Sequence, residues 1–126
     1  MNYEDEIYNL WRIRKTCLQM VNDRGYIVTS DELEQSLEDF KETFTHRLSN
    51  GEPNRSKLII LVSHNDDTTK ELYIFFPDEP KVGVKLIQEY INRLKEENIN
   101  HAIIVYNKDI SPGAVKVILN NVTSQS

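Results

Sequence analysis

The ten residues Phe76-Pro77-Asp78-Glu79-Pro80-Lys81-Val82-Gly83-Val84-Lys85 join an apolar run to an amphipathic one, and their reading decides the fold. Upstream, Glu71 to Phe76 carries Leu72, Tyr73, Ile74 and Phe75, the composition of a strand. Downstream, Val82 to Asn98 repeats Val84, Ile87, Ile91 and Leu94 at helical spacing. Pro77 and Pro80 bend the chain between them, because a proline fixes φ and restricts the residue before it. Gly83 is expected to ease packing of the helix start against a sheet.

Working outward, Ala102-Ile103-Ile104-Val105-Tyr106 reads as a further strand, buried on both faces by its unbroken apolar character. A strand, helix and strand in that order predict a right-handed parallel crossover. Leu58-Ile59-Ile60-Leu61-Val62, within a strand over Lys57–Ser63, pairs antiparallel with Glu71–Phe76 across the polar turn His64-Asn65-Asp66-Asp67-Thr68-Thr69. Ser111-Pro112-Gly113-Ala114 opens a last helix, with Ser111 as cap, Pro112 in the first helical position, and Val115, Ile118 and Leu119 on the buried side.

Two helices precede the strands. The first runs from about Tyr3 to Asp23, with Ile7, Leu10, Trp11, Cys17, Leu18 and Val21 on one stripe and Gly25 as the left-handed stop. Thr29 and Glu32 have capping-box spacing and open a second helix carrying Leu33, Leu37, Phe40 and Phe44. The segment Leu48 to Ser56 is a polar loop rich in turn formers. The expected fold is therefore α/β, in the order α-α-β-β-α-β-α: a small mixed sheet flanked by helices in a restriction-endonuclease-like three-layer architecture.

Composition bounds the function. A chain of 126 residues, 39% hydrophobic and 28% charged, fits one globular domain over residues 1–126. No apolar run approaches the roughly 20 residues of a membrane helix, so no membrane partner is expected. The single cysteine excludes an internal disulfide and suits a reducing cytosolic or nuclear compartment. A net charge of −5 disfavours tight nucleic-acid binding by the domain alone, since phosphate is held chiefly by Lys and Arg.

Asp78, Glu79 and Lys81 superficially resemble the acids and lysine of PD-(D/E)xK nucleases. In that chemistry two carboxylates converge on a divalent ion from different strand positions. Here they crowd onto a proline-bounded bend with no built-in reason to converge. The His64-Asn65-Asp66-Asp67 turn lacks a second His or Cys at ligand spacing, and His46 and His101 read as exposed side chains. Cys17 falls on an apolar stripe, and Ser111 lacks a G-x-S-x-G turn. No catalytic residue, metal ligand or cofactor is expected.

Two surfaces remain. The start of the last helix can receive a phosphate through its amides and dipole, with Lys108 and Lys116 flanking it. Arg12, Arg14 and Lys15 form a basic patch suited to an acidic protein partner.

Five stretches also carry a family resemblance. They are Leu10-Trp11-Arg12 to Thr16, Asp23-Arg24-Gly25-Tyr26, Leu37-Glu38-Asp39-Phe40-Lys41, the Phe76–Lys85 segment and Ser111-Pro112-Gly113-Ala114. In that order and spacing the chain resembles the N-terminal jaw domain of the fifth subunit shared by eukaryotic nuclear RNA polymerases I, II and III. The resemblance implies a non-catalytic, nuclear polymerase subunit that acts in transcription, packed on the largest subunit beside downstream double-stranded DNA, which it contacts weakly and without sequence specificity. It points to Ser111, Pro112, Gly113 and Ala114 as the DNA contact, to which the helix-end reading adds the flanking Lys116. Family members usually carry Thr-Pro-Ser-Ala there, so Gly113 lacks a hydroxyl. They also continue into a C-terminal assembly domain that is absent from this chain. The alternatives are a stand-alone module for transcription regulators on Arg12, Arg14 and Lys15, and a metal-dependent nuclease.

Overall fold

A computed structural model describes residues 3–46 and 55–121. The polar loop expected from Leu48 lies largely outside the described residues. Helix α1 spans Tyr3–Asp23, and Gly25 follows it at φ 93°. A Cβ at Gly25 would stand 2.9 Å from His64 Nε2, so both conformation and space require glycine there.

The expected second helix is two helices, α2 (Ser30–Leu33) and α3 (Leu37–His46). Thr29 forms the full capping box with Glu32. Four residues later the helix has ended, because Ser36 opens a new one: its Oγ accepts the Asp39 N–H at 3.1 Å. The intervening Gln35 carbonyl accepts the Trp11 Nε1–H at 3.0 Å, tying this turn to α1.

Strand β1 (Ile60–Ser63) starts later than expected, because Arg55–Leu58 coil into a 3₁₀ turn. It pairs antiparallel with β2 (Glu71–Phe75), Ile60 opposite Ile74. The bend after β2 contains a strand missed in the sequence, β3 (Lys81–Val82). Helix α4 therefore begins at Val84 and runs to Glu96, with Asn98 in the left-handed region at φ 58° beyond its end. Strand β4 (His101–Ile104) pairs parallel with β2, as the crossover requires. Strand β5 (Asp109–Ile110) pairs parallel with β3, and helix α5 spans Pro112–Asn121.

The main sheet has the order β1-β2-β4. The central strand, not the later one, is buried on both faces. Leu72, Ile74 and Phe76 join Ile60 and Val62 beneath α1 and α3, packing on Ile7, Leu18, Val21, Phe40 and Phe44. Tyr73 and Phe75 point the other way, to Tyr90 and Leu94 of α4. Phe75 and Tyr90 stack with centroids 4.1 Å apart. β4 lies at the sheet edge, with His101 and Ala102 exposed and Ile103 and Ile104 half-buried, contrary to the expectation for this run. Helices thus cover both faces of a small mixed sheet.

The third cluster sets α5. Ala114 is fully buried with Val82 and Ile87, and Val117 and Ile118 pack against them. Val115 and Leu119 are exposed, Leu119 by 64%, so two of the three residues expected inside face out. A small pair explains the rotation: Gly113 and Ala114 let the helix approach α4, where a Cβ on Gly113 would lie 3.0 Å from Val84 Cγ2. Gly83, by contrast, has nothing within 4 Å of where its Cβ would stand, so it is no packing device.

Candidate interaction surfaces

The Phe76–Lys85 bend is built around a cation from elsewhere in the chain. Arg55 is buried, and its Nε–H donates to the Pro77 carbonyl at 3.1 Å. Its Nη2 donates to the Val105 carbonyl at 2.8 Å, joining the bend to the segment after β4. The Arg55 backbone N–H donates to Asp78 Oδ1 at 3.0 Å, so Asp78 caps the 3₁₀ turn. Burial lowers the guanidinium's proton affinity, while the Asp78 charge works in the opposite direction. Arg55 was not singled out in the sequence, where it stands in a polar, turn-rich stretch. The prolines beside Asp78 were the only signal of a constrained loop.

This arrangement bears on metal chemistry. One oxygen of Asp78 is engaged by an amide, and Glu79 lies next to it on an exposed bend. Among the described residues no three His, Cys, Asp or Glu side chains gather as an ion site. The His64–Asp67 segment forms the expected turn: His64 Nδ1 accepts the Asp66 N–H, and Asp67 Oδ1 accepts the Thr69 N–H and hydroxyl. Those bonds from Thr69 hold the Asp67 carboxyl below its ordinary range. Cys17 is buried, and burial raises its thiol pKa, so it is poorly disposed to react as a thiolate.

The start of α5 has the expected cap. Ser111 Oγ accepts the Ala114 N–H at 3.1 Å, and the Ser111 carbonyl accepts the Val115 N–H at 3.0 Å. Pro112 has no N–H to offer. The Gly113 amide is consequently the one donor left for a ligand in the first three helical positions, fewer than the sequence reading implies. Ser111 and Gly113 are half-buried, Pro112 and Lys116 exposed and Ala114 buried, so Ala114 supplies no accessible side chain. Lys108 is exposed, and its N–H donates to the Pro80 carbonyl at 3.3 Å, linking the approach to α5 with the bend.

The basic patch of α1 divides. Arg12 lies over the Tyr8 ring, 5.8 Å from its centroid, and Lys15 Nζ stands 5.1 Å from the Trp11 centroid. The two rings touch at 5.7 Å, so an aromatic pair carries a cation on each member. Arg14 lines a cavity of about 220 Å³ with Glu32 and Gln35 and borders a smaller recess together with Trp11 and Lys15. Arg12, two residues before Arg14 and so on a different side of the helix, is absent from both.

A model of the family described as RNA polymerase Rpb5, N-terminal domain, matches residues 4–94. Similarity extends further in full-length relatives. Subunit RPABC1 of DNA-directed RNA polymerases I, II and III from Caenorhabditis briggsae is 51% identical over 115 residues, 91% of this chain and 54% of the relative. The Dictyostelium discoideum protein of the same name is 39% identical over 114 residues, 90% of this chain and 52% of that one. DNA-directed RNA polymerase subunit 5-like protein 1 of Arabidopsis thaliana is 28% identical over 103 residues, 81% of this chain and 48% of its own. The chain spans about half the length of the curated relatives it matches.

Proposed function

The chain belongs to the RNA polymerase Rpb5 N-terminal domain family, and from that premise we propose that it acts as a non-catalytic part of a nuclear DNA-directed RNA polymerase. The observation that carries this reading is the 51% identity to a subunit shared by polymerases I, II and III, sustained over 91% of the chain. Its partners in the proposal are the largest subunit and other polymerase subunits.

Within that assembly the start of α5 faces downstream duplex DNA. The Gly113 amide and the positive end of the helix receive a phosphate, and Lys116 and Lys108 add charge. Ser111 holds the turn and Pro112 sets its direction. With a net charge of −5 the domain does not grip DNA alone; the contact is weak, salt-sensitive and blind to sequence.

Affinity purification of the tagged chain from nuclear extract tests the proposal. Recovery of the polymerase largest subunit supports it; recovery of regulators without that subunit would count against it. A second reading, docking of transcription regulators, draws on the cation-bearing aromatic pair at Tyr8, Trp11, Arg12 and Lys15. Incubation with supercoiled plasmid and Mg²⁺ or Mn²⁺ should leave the plasmid intact. Cleavage abolished by Asp78→Ala would revive the nuclease alternative.

A further inference from the structure

Between α1 and the segment after β4 lies a groove of about 810 Å³, a volume in the range that holds small ligands or several peptide side chains. Its lining is apolar where Leu10, Ile13, Cys17 and Val105 meet. Around that strip stand three cations, Arg12, Arg55 and Lys108, against one carboxylate, Glu6.

Arg55 gives the groove its character. It is only 8% exposed, and its side-chain hydrogen bonds go to the neutral carbonyls of Pro77 and Val105. The Asp78 carboxylate bonds its backbone amide and not its guanidinium, although the charges of Asp78 and Glu6 still reach the guanidinium through space. A buried cation held by carbonyl dipoles keeps its full charge in a medium of low polarity, where an incoming anion is attracted strongly. Arg12 and Lys108, both exposed, extend the same sign of charge to the rims.

We propose that this groove docks an extended acidic–apolar segment of a partner protein, its aliphatic side chains on the half-buried Ile13 and Val105 above the buried floor of Leu10 and Cys17, and its carboxylates between Arg12, Arg55 and Lys108. The half-buried Ile13 and Val105 favour a peptide over a nucleic-acid backbone, which would bring phosphates but nothing to cover them. Neither polymerase membership nor the DNA contact at α5 enters this inference. The groove shares Arg12 with the basic patch of α1 but not Arg14 or Lys15, which lie off it.

The probe is a seven-residue peptide alternating glutamate and leucine, compared with its glutamine–leucine counterpart. Amide shifts are followed by two-dimensional NMR. The glutamate peptide should shift Leu10, Ile13, Cys17 and Val105, while the glutamine peptide binds at least about tenfold more weakly, the effect of losing one good charge pair. The double variant Arg12→Glu, Lys108→Glu changes exposed side chains only and should lose binding by a similar factor. Lys70→Glu, outside the groove, should not. Equal binding of the two peptides, full binding by the double variant, or no response at millimolar peptide would overturn the proposal. So would a short DNA duplex that shifts these same residues at lower concentration than the peptide.

Discussion

At Arg55 and at the start of α5 the chain sets positive charge beside a turn, and the two places resolve it in opposite ways. The Arg55 guanidinium donates inward to the Pro77 and Val105 carbonyls, which come from segments far apart in sequence. At α5 the charge is partial, belonging to backbone amides, and most of it is already spoken for. Ser111 takes the Ala114 amide and Pro112 has none, which leaves Gly113. The first site therefore holds the fold together, and the second is left facing outward. An internal acceptor gives a charge a structural role without removing it from the surface it lines: Arg55 holds the fold and also lines the groove beside α1.

The largest expected effect follows from emptying the inner site. Arg55→Ala strands two carbonyls and frees the bend from β4, and should cost about 2–4 kcal/mol in denaturant unfolding. Arg55→Lys should recover only part, since one ammonium cannot span both acceptors in the guanidinium's fork. A loss below about 0.5 kcal/mol for the alanine variant would remove the contrast with α5.

Ser111→Ala comes next. It removes a helix cap and should cost about 1 kcal/mol in the same measurement. The Ala114 amide it uncovers gives a phosphate a second donor, so binding to duplex at low salt should be kept or slightly strengthened despite the lost stability. Weaker binding together with weaker stability would mean that the hydroxyl itself is the DNA contact.

A pH series probes the interior independently. Burial, with the charges of Glu79 and Glu89, pushes the Tyr90 phenol up from 10.0 to about 12. The unfolded chain then ionises first, and its stabilising contribution, complete below pH 10, is lost as pH rises toward 12. The urea midpoint should fall across that window, and Tyr90→Phe should flatten the fall. Tyr73 shares the direction of shift, through burial and then its bond to Glu97, so some slope should remain. An unchanged slope in the variant would mean that Tyr90 is not held neutral against Phe75.

The smallest effect belongs to the outward face of α5. Leu119→Ser should change stability by no more than about 0.5 kcal/mol, because the side chain is 64% exposed. Ala114→Leu, at a fully buried position one turn earlier, should be far more damaging. Reversal of that order would restore the burial pattern expected from the sequence.

Much of the fold was legible because it depends on local periodicity. The limits of α1, the left-handed Gly25, the capping box at Thr29, the antiparallel β1–β2 pair, the parallel β2–β4 crossover and the Ser111 cap all follow from residues close together in the chain. Two failures share one cause: the outward turn of Leu119 depends on close packing at Gly113, and the edge position of β4 on which strand occupies the centre, each settled by a neighbour distant in sequence. The α2–α3 break is different: it is opened locally by the Ser36 cap and then tied to α1 by the Trp11 bond to Gln35. The candidate contacts were legible as residue types, but their grouping was not: Arg12 lies over Tyr8 and lines the groove, while Arg14 and Lys15 border a recess beside Trp11.

The Phe76–Lys85 segment divides along the same line. Its order of residues was enough to establish a strand, a proline bend and a helix, and with four companion motifs to establish the family, since backbone restriction and side-chain spacing are properties of the chain alone. That Asp78 would cap a 3₁₀ turn, and that Pro77 would offer its carbonyl to a buried arginine 22 residues earlier, was decided only in three dimensions. A hydrogen-bond partner is chosen by proximity in space, which the bend creates but does not encode.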